Sequence, residues 1–353
     1  MNVEGSKARL YEASLGLAIA KDSAGNQFFK NVKLYRLVTN KRWVLSFGSP
    51  CEYYLDDLVR EYPYEDDLVI DMQGRNHKGY SEVKIPAHVV NDLIQRALAL
   101  TNRVGIVLAG GSGTRLYPTT RVVSKQLLPV YNKPMVFYPL SVLLQIGIKD
   151  VYIISNPEHI ESFESLLGDG AQFDVTFTYL TQDEPKGIAH AFQICHRLVE
   201  GQNVCLILGD NLFYGGNCIE KFSLAMLNSK STIFGCRVKN PEAYGVLDLS
   251  KRRVVEKPEV PPSYYAVPGI YFFDDSVWEK SLELKPSNRG ELEISDLINI
   301  YAEEGNLNVQ ILPDETVWLD MGTPDSLLYA SEFVKAIEER TGVQIGDLTS
   351  FEG

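Results

Sequence analysis

The pattern of apolar and polar positions changes partway along the chain. Residues 14–20, 28–39 (with Phe29, Val32, Leu34 and Leu37), 43–47 and 68–72 are short strand-like stretches separated by clusters of Gly, Asn and Asp. Residues 86–100 predict a helix, with Pro86 at its start and Val89, Val90, Leu93, Ile94 and Ala97 on one apolar stripe. The segment 74–79, Gly-Arg-Asn-His-Lys-Gly, reads as a solvated polar turn. Beyond residue 103 come short apolar runs at 104–108, 151–155 and 204–208, with helical patterns at 139–146, 159–167 and 189–198. Buried strands alternating with helices predict an α/β domain with a mostly parallel sheet covered on both faces. In such a sheet ligands bind beyond the carboxyl ends of the strands, which selects the turns after Leu108 and Leu208. No internal repeat is evident.

This division predicts an accessory β-rich or α+β domain over residues 1–102 and a catalytic domain over 103–353. Charge divides at nearly the same place. Residues 1–103 carry 14 Lys/Arg against 13 Asp/Glu, and residues 104–353 carry 20 against 33. The whole chain of 353 residues has a formal charge of −12, which argues against a nucleic-acid partner but leaves room for a local cationic pocket. At 45% apolar and 23% charged, the composition is that of a globular protein with a sizeable core. No apolar run approaches the roughly 18 residues of a membrane span. The opening Met-Asn-Val-Glu-Gly predicts no secretory leader. Five scattered cysteines without C-x-x-C spacing predict reduced thiols and a cytoplasmic location, not a disulfide scaffold or a zinc site. The five histidines form no i, i+4 pair and read as surface or helix residues.

The candidate chemistry begins after residue 108, with Ala109-Gly110-Gly111-Ser112-Gly113-Thr114-Arg115. Glycines there let backbone N–H groups approach an anion, and Arg115 and Lys125 supply positive charge. A P-loop requires G-x-x-x-x-G-K-[ST], which is absent. A dinucleotide fingerprint begun at Gly111 meets Leu116 where Gly or Ala is required.

The stretch Leu108-Ala109-Gly110-Gly111-Ser112-Gly113-Thr114-Arg115-Leu116-Tyr117-Pro118, followed by Ser124-Lys125-Gln126-Leu127-Leu128-Pro129, resembles the signature of the sugar-1-phosphate nucleotidyltransferases, nearest to those that transfer thymidylyl to glucose 1-phosphate. Matching motifs follow in order: Gln182 with Gly187, Leu208-Gly209-Asp210-Asn211, Tyr244-Gly245-Val246, Glu256-Lys257-Pro258, Arg289-Gly290-Glu291-Leu292-Glu293-Ile294 and Trp318-Leu319-Asp320-Met321-Gly322-Thr323. The resemblance runs from about residue 104 to about residue 340. It implies a Rossmann-like three-layer domain of the glycosyltransferase A-like kind. About 100 residues precede the first strand, unlike the usual members. Longer members continue past the last helix into a segment involved in subunit contacts and a regulatory nucleotide site. Only the active site is therefore carried over, with a homo-oligomer as the expected assembly. For residues 1–102, an assembly or docking module competes with an effector-binding or second catalytic role.

The reaction so implied joins dTTP to glucose 1-phosphate and releases pyrophosphate. The resemblance implies catalytic roles for Arg115, Lys125, Asp210 and Lys257. It implies a nucleotide site over Leu108, Gly110, Gly111, Gly113, Thr114, Arg115, Gln182, Gly187 and Asp210, and a sugar-phosphate site over Tyr244, Gly245, Glu256, Lys257, Val267, Gly269 and Arg289. Asp210 and Asp320, two carboxylates from distant segments, suit Mg²⁺, which prefers oxygen ligands and keeps waters. Lys257, preceding Pro258, is expected on extended backbone, reaching the sugar phosphate. Arg289 either grips that phosphate or stabilises the helix expected over residues 291–304. Gln182 offers both a donor and an acceptor to the imide edge of thymine or uracil. The two bases differ by one methyl, worth about 1 kcal/mol, so UTP is an alternative substrate. Gly187 is expected to leave space beside the base. Two other function classes compete: a catalytically dead nucleotide-sugar sensor, which should lack the metal or phosphate ligands kept here, and a nicotinamide oxidoreductase, which rests on the defective glycine fingerprint alone.

Overall fold

The computed structural model describes residues 103–348, except 200 and 229, and the backbone of six strands within residues 1–102. The chain separates into two compact units, Met1–Thr101 and Asn102–Phe351.

In the first unit the strands are β1 (Arg9–Lys21), β2 (Gln27–Leu37), β3 (Trp43–Ser46), β4 (Glu52–Tyr54), β5 (Leu68–Asp71) and β6 (Glu82–Ile85). They form one antiparallel sheet in the order β4-β3-β2-β1-β6-β5. All four expected stretches are strands, and β4 and β6 join them. The helix expected over residues 86–100 and the turn at 74–79 lie outside the described residues.

The second unit begins with β7 (Arg103–Leu108), whose six residues are all buried. After it come the short hairpin β8 (Pro129–Val130) and β9 (Lys133–Pro134), helix α1 (Phe137–Ile146), β10 (Asp150–Ser155), α2 (Ile160–Leu167), β11 (Thr176–Thr181), α3 (His190–Val199) and β12 (Asn203–Leu208). Strands β11, β10, β7 and β12 lie side by side and parallel, as the apolar runs predict. Both faces of β7 are buried, by the period-two alternation of strand side chains. Val104, Ile106 and Leu108 share a core cluster with Phe192 and Cys195 of α3. On the other face a Cβ at Gly105 would sit 2.9 Å from Leu143 of α1, so glycine lets that helix approach the sheet.

The remaining elements are β13 (Asn211–Tyr214), α4 (Cys218–Met226), β14 (Ser231–Arg237), β15 (Gly245–Asp248), β16 (Arg253–Glu256), β17 (Tyr265–Ala266), β18 (Ile270–Phe273), α5 (Val277–Glu283), α6 (Ile294–Glu303), β19 (Leu307–Ile311), β20 (Val317–Asp320) and α7 (Pro324–Thr341). The main sheet runs β11-β10-β7-β12-β18-β14-β17-β15-β16, with β19 parallel to β14. It is mixed. The parallel half ends at β12, and β18 pairs with β12 antiparallel. The chain leaves β7 toward β10 and β11 and returns to β12 on the other side of β7. That reversal opens a crevice at the carboxyl ends of β7 and β12.

Aromatic packing anchors the helical layer beneath this crevice. The Phe192 ring meets Phe273 edge-on at 5.5 Å and Trp278 at 6.0 Å, and the Trp278 indole N–H donates to the Gln202 carbonyl at 2.7 Å. Phe192→Ala would leave a cavity between α3, α5 and β18. It should cost about 3–5 kcal/mol in chemical denaturation of the purified protein.

Candidate active site

The glycine turn leaves the end of β7 and is fastened from three sides. The Ala109 N–H donates to the Ile154 carbonyl at 2.7 Å, and the Ser155 hydroxyl donates to the Ala109 carbonyl at 3.0 Å. The Gln126 amide donates to the Gly110 carbonyl at 3.2 Å, its own oxygen accepting from the Ser124 hydroxyl at 2.6 Å. Gly111, at φ 107°, gives its N–H to Asn156 Oδ1 at 3.2 Å and accepts from Asn156 Nδ2 at 3.3 Å. The Gly111 amide is thus held by a half-buried asparagine, where the sequence reading expects it bare. Gly113, at φ 58°, accepts from the Thr120 hydroxyl at 2.7 Å. Gly113 and Thr114 are absent from the described residues lining the two cavities below.

Those cavities meet at Asp210. One, of about 200 Å³, is lined by Leu108, Gly110, Gly111, Lys125, Gln182, Gly187 and Asp210 among others. The other, of about 480 Å³, is lined by Arg115, Asp210, Tyr244, Gly245, Glu256, Lys257, Val267, Gly269, Arg289, Trp318 and Asp320 among others. Leu208, Asp210, Ile188 and Glu291 belong to both.

A short ribbon brings the two aspartates together. β13 and β20 pair antiparallel, with Asn211 opposite Asp320, and the Met321 N–H donates to the Asp210 carbonyl at 3.0 Å. Asn211, only 2% exposed, is fully engaged. Its Oδ1 accepts from Trp318 Nε1 at 2.6 Å and from the Gly269 N–H at 3.0 Å, while its Nδ2 donates to Asp210 Oδ1 at 3.0 Å. Two donors on the oxygen fix the amide's orientation, so the nitrogen faces the carboxylate.

Burial works against ionisation of both acids, and their neighbours separate them. Burial opposes the Asp210 charge, yet the Lys125 ammonium, hydrogen-bonded to its Oδ2, and the Asn211 amide hold its carboxyl below the ordinary range. Burial and the adjacent Asp210 charge push Asp320 up, against the pull of Lys125 and Arg115. Asp320 Oδ1 is buried with no hydrogen-bond partner. Arg115 reaches back from the glycine turn to this place, since a Cβ on Gly322 would lie 2.8 Å from its guanidinium. Among the described residues no group of three or more His, Cys, Asp or Glu is placed to hold a metal ion. Two carboxylates with an orphaned oxygen nevertheless fit a hard divalent cation, whose remaining positions water and substrate oxygens fill.

The residues expected on the sugar side lie in and beside β15 and β16, on the turn before β18 and, for Arg289, on the loop before α6. Lys257 departs from the expected extended backbone. Its φ is 39°, in the left-handed region, and its N–H donates to the Tyr244 carbonyl at 3.0 Å. That bond, made where β16 ends beside β15, overrides the preference imposed by Pro258. A lysine held there stores strain, as active-site residues often do. Burial, with Glu293 nearby, pushes the Glu256 carboxyl up, and Lys257 and Arg289 oppose the shift. Arg289 is forked onto Glu293 at 2.7 and 3.1 Å and reaches Glu291 at 3.3 Å and Glu256 at 3.4 Å. Glu293 is the residue preceding α6, so the fork favours the role at that helix start over a free grip on phosphate. The helix itself begins at Ile294, after the carboxylates. A Cβ on Gly269 would fall 2.6 Å from Leu208 and 2.8 Å from Asn211 Oδ1. Gly269 is glycine because the Asn211 bond needs its backbone close.

At the other end, Gln182 follows β11 and is 5% exposed. Its amide nitrogen lies 3.3 Å from the Gly187 carbonyl and 3.0 Å from His190 Nδ1. Gly187, at φ 97°, has the Leu292 backbone pressed against its Cα. Its missing side chain makes room for protein backbone as well as for the cavity.

Asn211, Trp318, Gln126, Asn156 and His190 were not singled out from the sequence. Asn211, Gln126 and Trp318 lie inside recognisable motifs, whereas Asn156 and His190 carry no local signal; Asn211, Trp318 and Asn156 matter through partners distant in the chain, Gln126 and His190 through partners 16 and 8 residues away.

A family model described as nucleotidyl transferase matches residues 104–337. The chain is 49% identical over 249 residues to the glucose-1-phosphate thymidylyltransferase of Neisseria meningitidis serogroup A, covering 69% of this chain and 86% of that protein. It is 47% identical over 248 residues to the enzyme of the same name from Mycobacterium tuberculosis (strain H37Rv), covering 68% and 85%. Among solved structures, a crystal structure of UDP-glucose pyrophosphorylase complexed with UDP-glucose aligns with a TM-score of 0.59 at 23% identity, over 67% of this chain and 99% of that one, a likeness of fold alone. With the glycine turn, the paired aspartates and the two joined cavities in place, the chain belongs to the nucleotidyl transferase family and, within it, to the glucose-1-phosphate thymidylyltransferase group.

Proposed function

We propose that the chain transfers a thymidylyl group from dTTP to glucose 1-phosphate, giving dTDP-glucose and pyrophosphate. The observation that carries this reading is the junction at Asp210. A cavity of about 200 Å³ beside the glycine turn opens there onto a polar cavity of about 480 Å³ holding Lys257 and Glu256. The sugar phosphate oxygen attacks the α-phosphorus in line and pyrophosphate leaves. That oxygen is anionic at neutral pH, so no general base is required. The work lies in bringing two anions together and in stabilising charge as it develops.

Asp210 and Asp320 would hold Mg²⁺, which when bound neutralises charge on the α-phosphate and the departing pyrophosphate. Arg115 and Lys125 meet the triphosphate from the glycine-turn side. Lys257 meets the sugar phosphate, aimed by its left-handed backbone. Glu256 accepts from sugar hydroxyls, with Arg289 orienting it and Glu293. The Gly245 and Gly269 backbones, with Tyr244 and Val267, shape the sugar pocket. Gln182 and Gly187 meet the base, while Leu108 and Gly110 line its cavity. Leu208 and Ile188 give the junction apolar walls that limit water. Since thymine and uracil differ by one methyl, UTP is accepted less well, by less than about tenfold from that contact.

Four described cysteines, Cys195, Cys205, Cys218 and Cys236, are buried free thiols, in keeping with a reducing cytoplasmic setting. No helix among the described residues is long and apolar enough to cross a membrane. Retention of Arg115, Lys125, Asp210, Lys257 and Asp320 together supports an active enzyme over a dead nucleotide-sugar sensor.

Pyrophosphate release, assayed over four deoxynucleoside triphosphates and UTP against a panel of sugar 1-phosphates, should peak with dTTP and glucose 1-phosphate. Release that peaks with a purine nucleotide would overturn the reading. Asp210→Asn and Asp320→Asn should each lower kcat by about a thousandfold or more with the melting temperature largely kept. Lys257→Ala should raise the KM for the sugar phosphate about tenfold or more, with a smaller change for dTTP. Equal losses for both substrates would remove Lys257 from its place.

A further inference from the structure

The amide of Gln182 has a second neighbour that decides which way it faces. An amide nitrogen carries two protons and accepts nothing. One proton of Gln182 Nε2 goes to the Gly187 carbonyl at 3.3 Å and the other to His190 Nδ1 at 3.0 Å. Nδ1 must therefore be unprotonated, with the imidazole proton on Nε2. Both donors being spent, the amide oxygen is the end left for the cavity. It faces Gly110, where an added Cβ would lie 3.3 Å from it. Gln182 so held offers the base an acceptor alone. That matches the ring N3–H of thymine or uracil. Cytosine has a lone pair at N3 and would meet the oxygen with repulsion.

We propose that His190 is a positioning residue for base choice: by accepting from Gln182 through Nδ1 it keeps the amide oxygen toward the nucleotide, and its protonation reverses the amide and reverses the preference. The inference rests on the reading that Gln182 meets the base. In the reversed state Nδ1–H donates to the Gln182 oxygen, at the cost of the amide's bond to the Gly187 carbonyl, and the amide nitrogen turns to the cavity, where it suits a cytosine N3.

The surroundings keep His190 neutral near pH 7. It is the first residue of α3, and the positive end of a helix disfavours an imidazolium. Burial lowers its pKa, as does Lys186, while Asp183 and Glu184 pull it back up. These charged groups all lie on the loop between β11 and α3, and Lys186 is itself paired with Glu184 at 3.1 Å. The neutral, dTTP-selecting state is therefore complete at and above neutral pH and is lost as pH falls through the lowered value.

The test is the ratio of kcat/KM for dTTP to kcat/KM for dCTP, measured on the full chain between about pH 8 and about pH 5. Effects of pH on phosphates, on Mg²⁺ and on the aspartates act on both nucleotides and cancel in the ratio; protonation of cytosine N3 toward the acid end is common to every variant and is read from His190→Asn. In the unaltered protein the ratio should fall about tenfold or more on acidification. His190→Asn keeps an acceptor near the Nδ1 position that never titrates, so its ratio should stay high and fall only as far as cytosine protonation takes it; a fall in the unaltered protein no larger than this one would overturn the proposal. His190→Leu removes one of the amide's two acceptors and leaves the Gly187 carbonyl, so its ratio should lie below that of the unaltered protein at pH 8 and no longer depend on His190 at lower pH, through a raised KM for dTTP at little cost in kcat. A ratio in the unaltered protein that is high at pH 8 and unchanged at pH 5 would overturn the role of His190 and leave the Gln182 reading standing, whether or not His190→Leu folds. Equal use of dCTP and dTTP at pH 8 would remove the Gln182 reading and this inference with it.

Discussion

Two carboxylates that repel each other stand side by side because β13 and β20 pair in one register, Asn211 opposite Asp320. A slip of one residue would turn every side chain of the ribbon to the other face and send Asp320 away from the cleft. Asn211 is the lock. One amide bonds the Trp318 indole on β20, the Gly269 backbone at the sugar pocket and the Asp210 carboxylate, and its donor and acceptor ends cannot be exchanged. Burial in this ribbon, with the Asp210 charge beside it, pushes the Asp320 carboxyl up and leaves its Oδ1 without a partner. Lys125 occupies the side of Asp210 that a cation favours, and Arg115 stands near Asp320. The site therefore holds its own counter-charges at rest.

How much of this was legible in the sequence depended on whether a signal was local. The strands β7, β10 and β12 are apolar runs because both of their faces are covered, and their ends placed the crevice before any motif was considered. Asp210 and Asp320 were legible through the motifs around them. Lys257 was legible in place, on the wall of the larger cavity, but not in conformation. The proline rule speaks only of residues 257 and 258, whereas the Tyr244 carbonyl, contributed from beside β15, sets φ. Arg289 was ambiguous for the same reason: its partners Glu256 and Glu293 had to be seen together before the fork could be assigned. His190 opens a helix and would be an unremarked histidine in any sequence, for its meaning lies in a lone pair aimed at Gln182.

Net charge illustrates the same separation between what is averaged and what is placed. A chain with a formal charge of −12 is an unpromising host for two anionic substrates. Long-range repulsion is screened within about 8–10 Å at physiological salt, so the total counts for little inside a cleft. What counts is that Arg115, Lys125 and Lys257 come from three segments to surround one junction, while Glu256 and Glu293 are occupied by Arg289.

The segment from Ser287 to Ile294 joins the two substrate regions mechanically. The Leu292 N–H donates to the Lys186 carbonyl at 2.7 Å, and its own carbonyl accepts from the Ala189 N–H at 3.3 Å. This backbone lies against Gly187 on the base side. One residue further, Glu293 holds the Arg289 fork that also reaches Glu256 on the sugar side. A side chain at Gly187 would push Leu292 and, through it, Glu293 and Arg289. Glycine at 187 is therefore demanded three ways, by its positive φ, by the smaller cavity it lines and by the larger cavity whose lining it does not join.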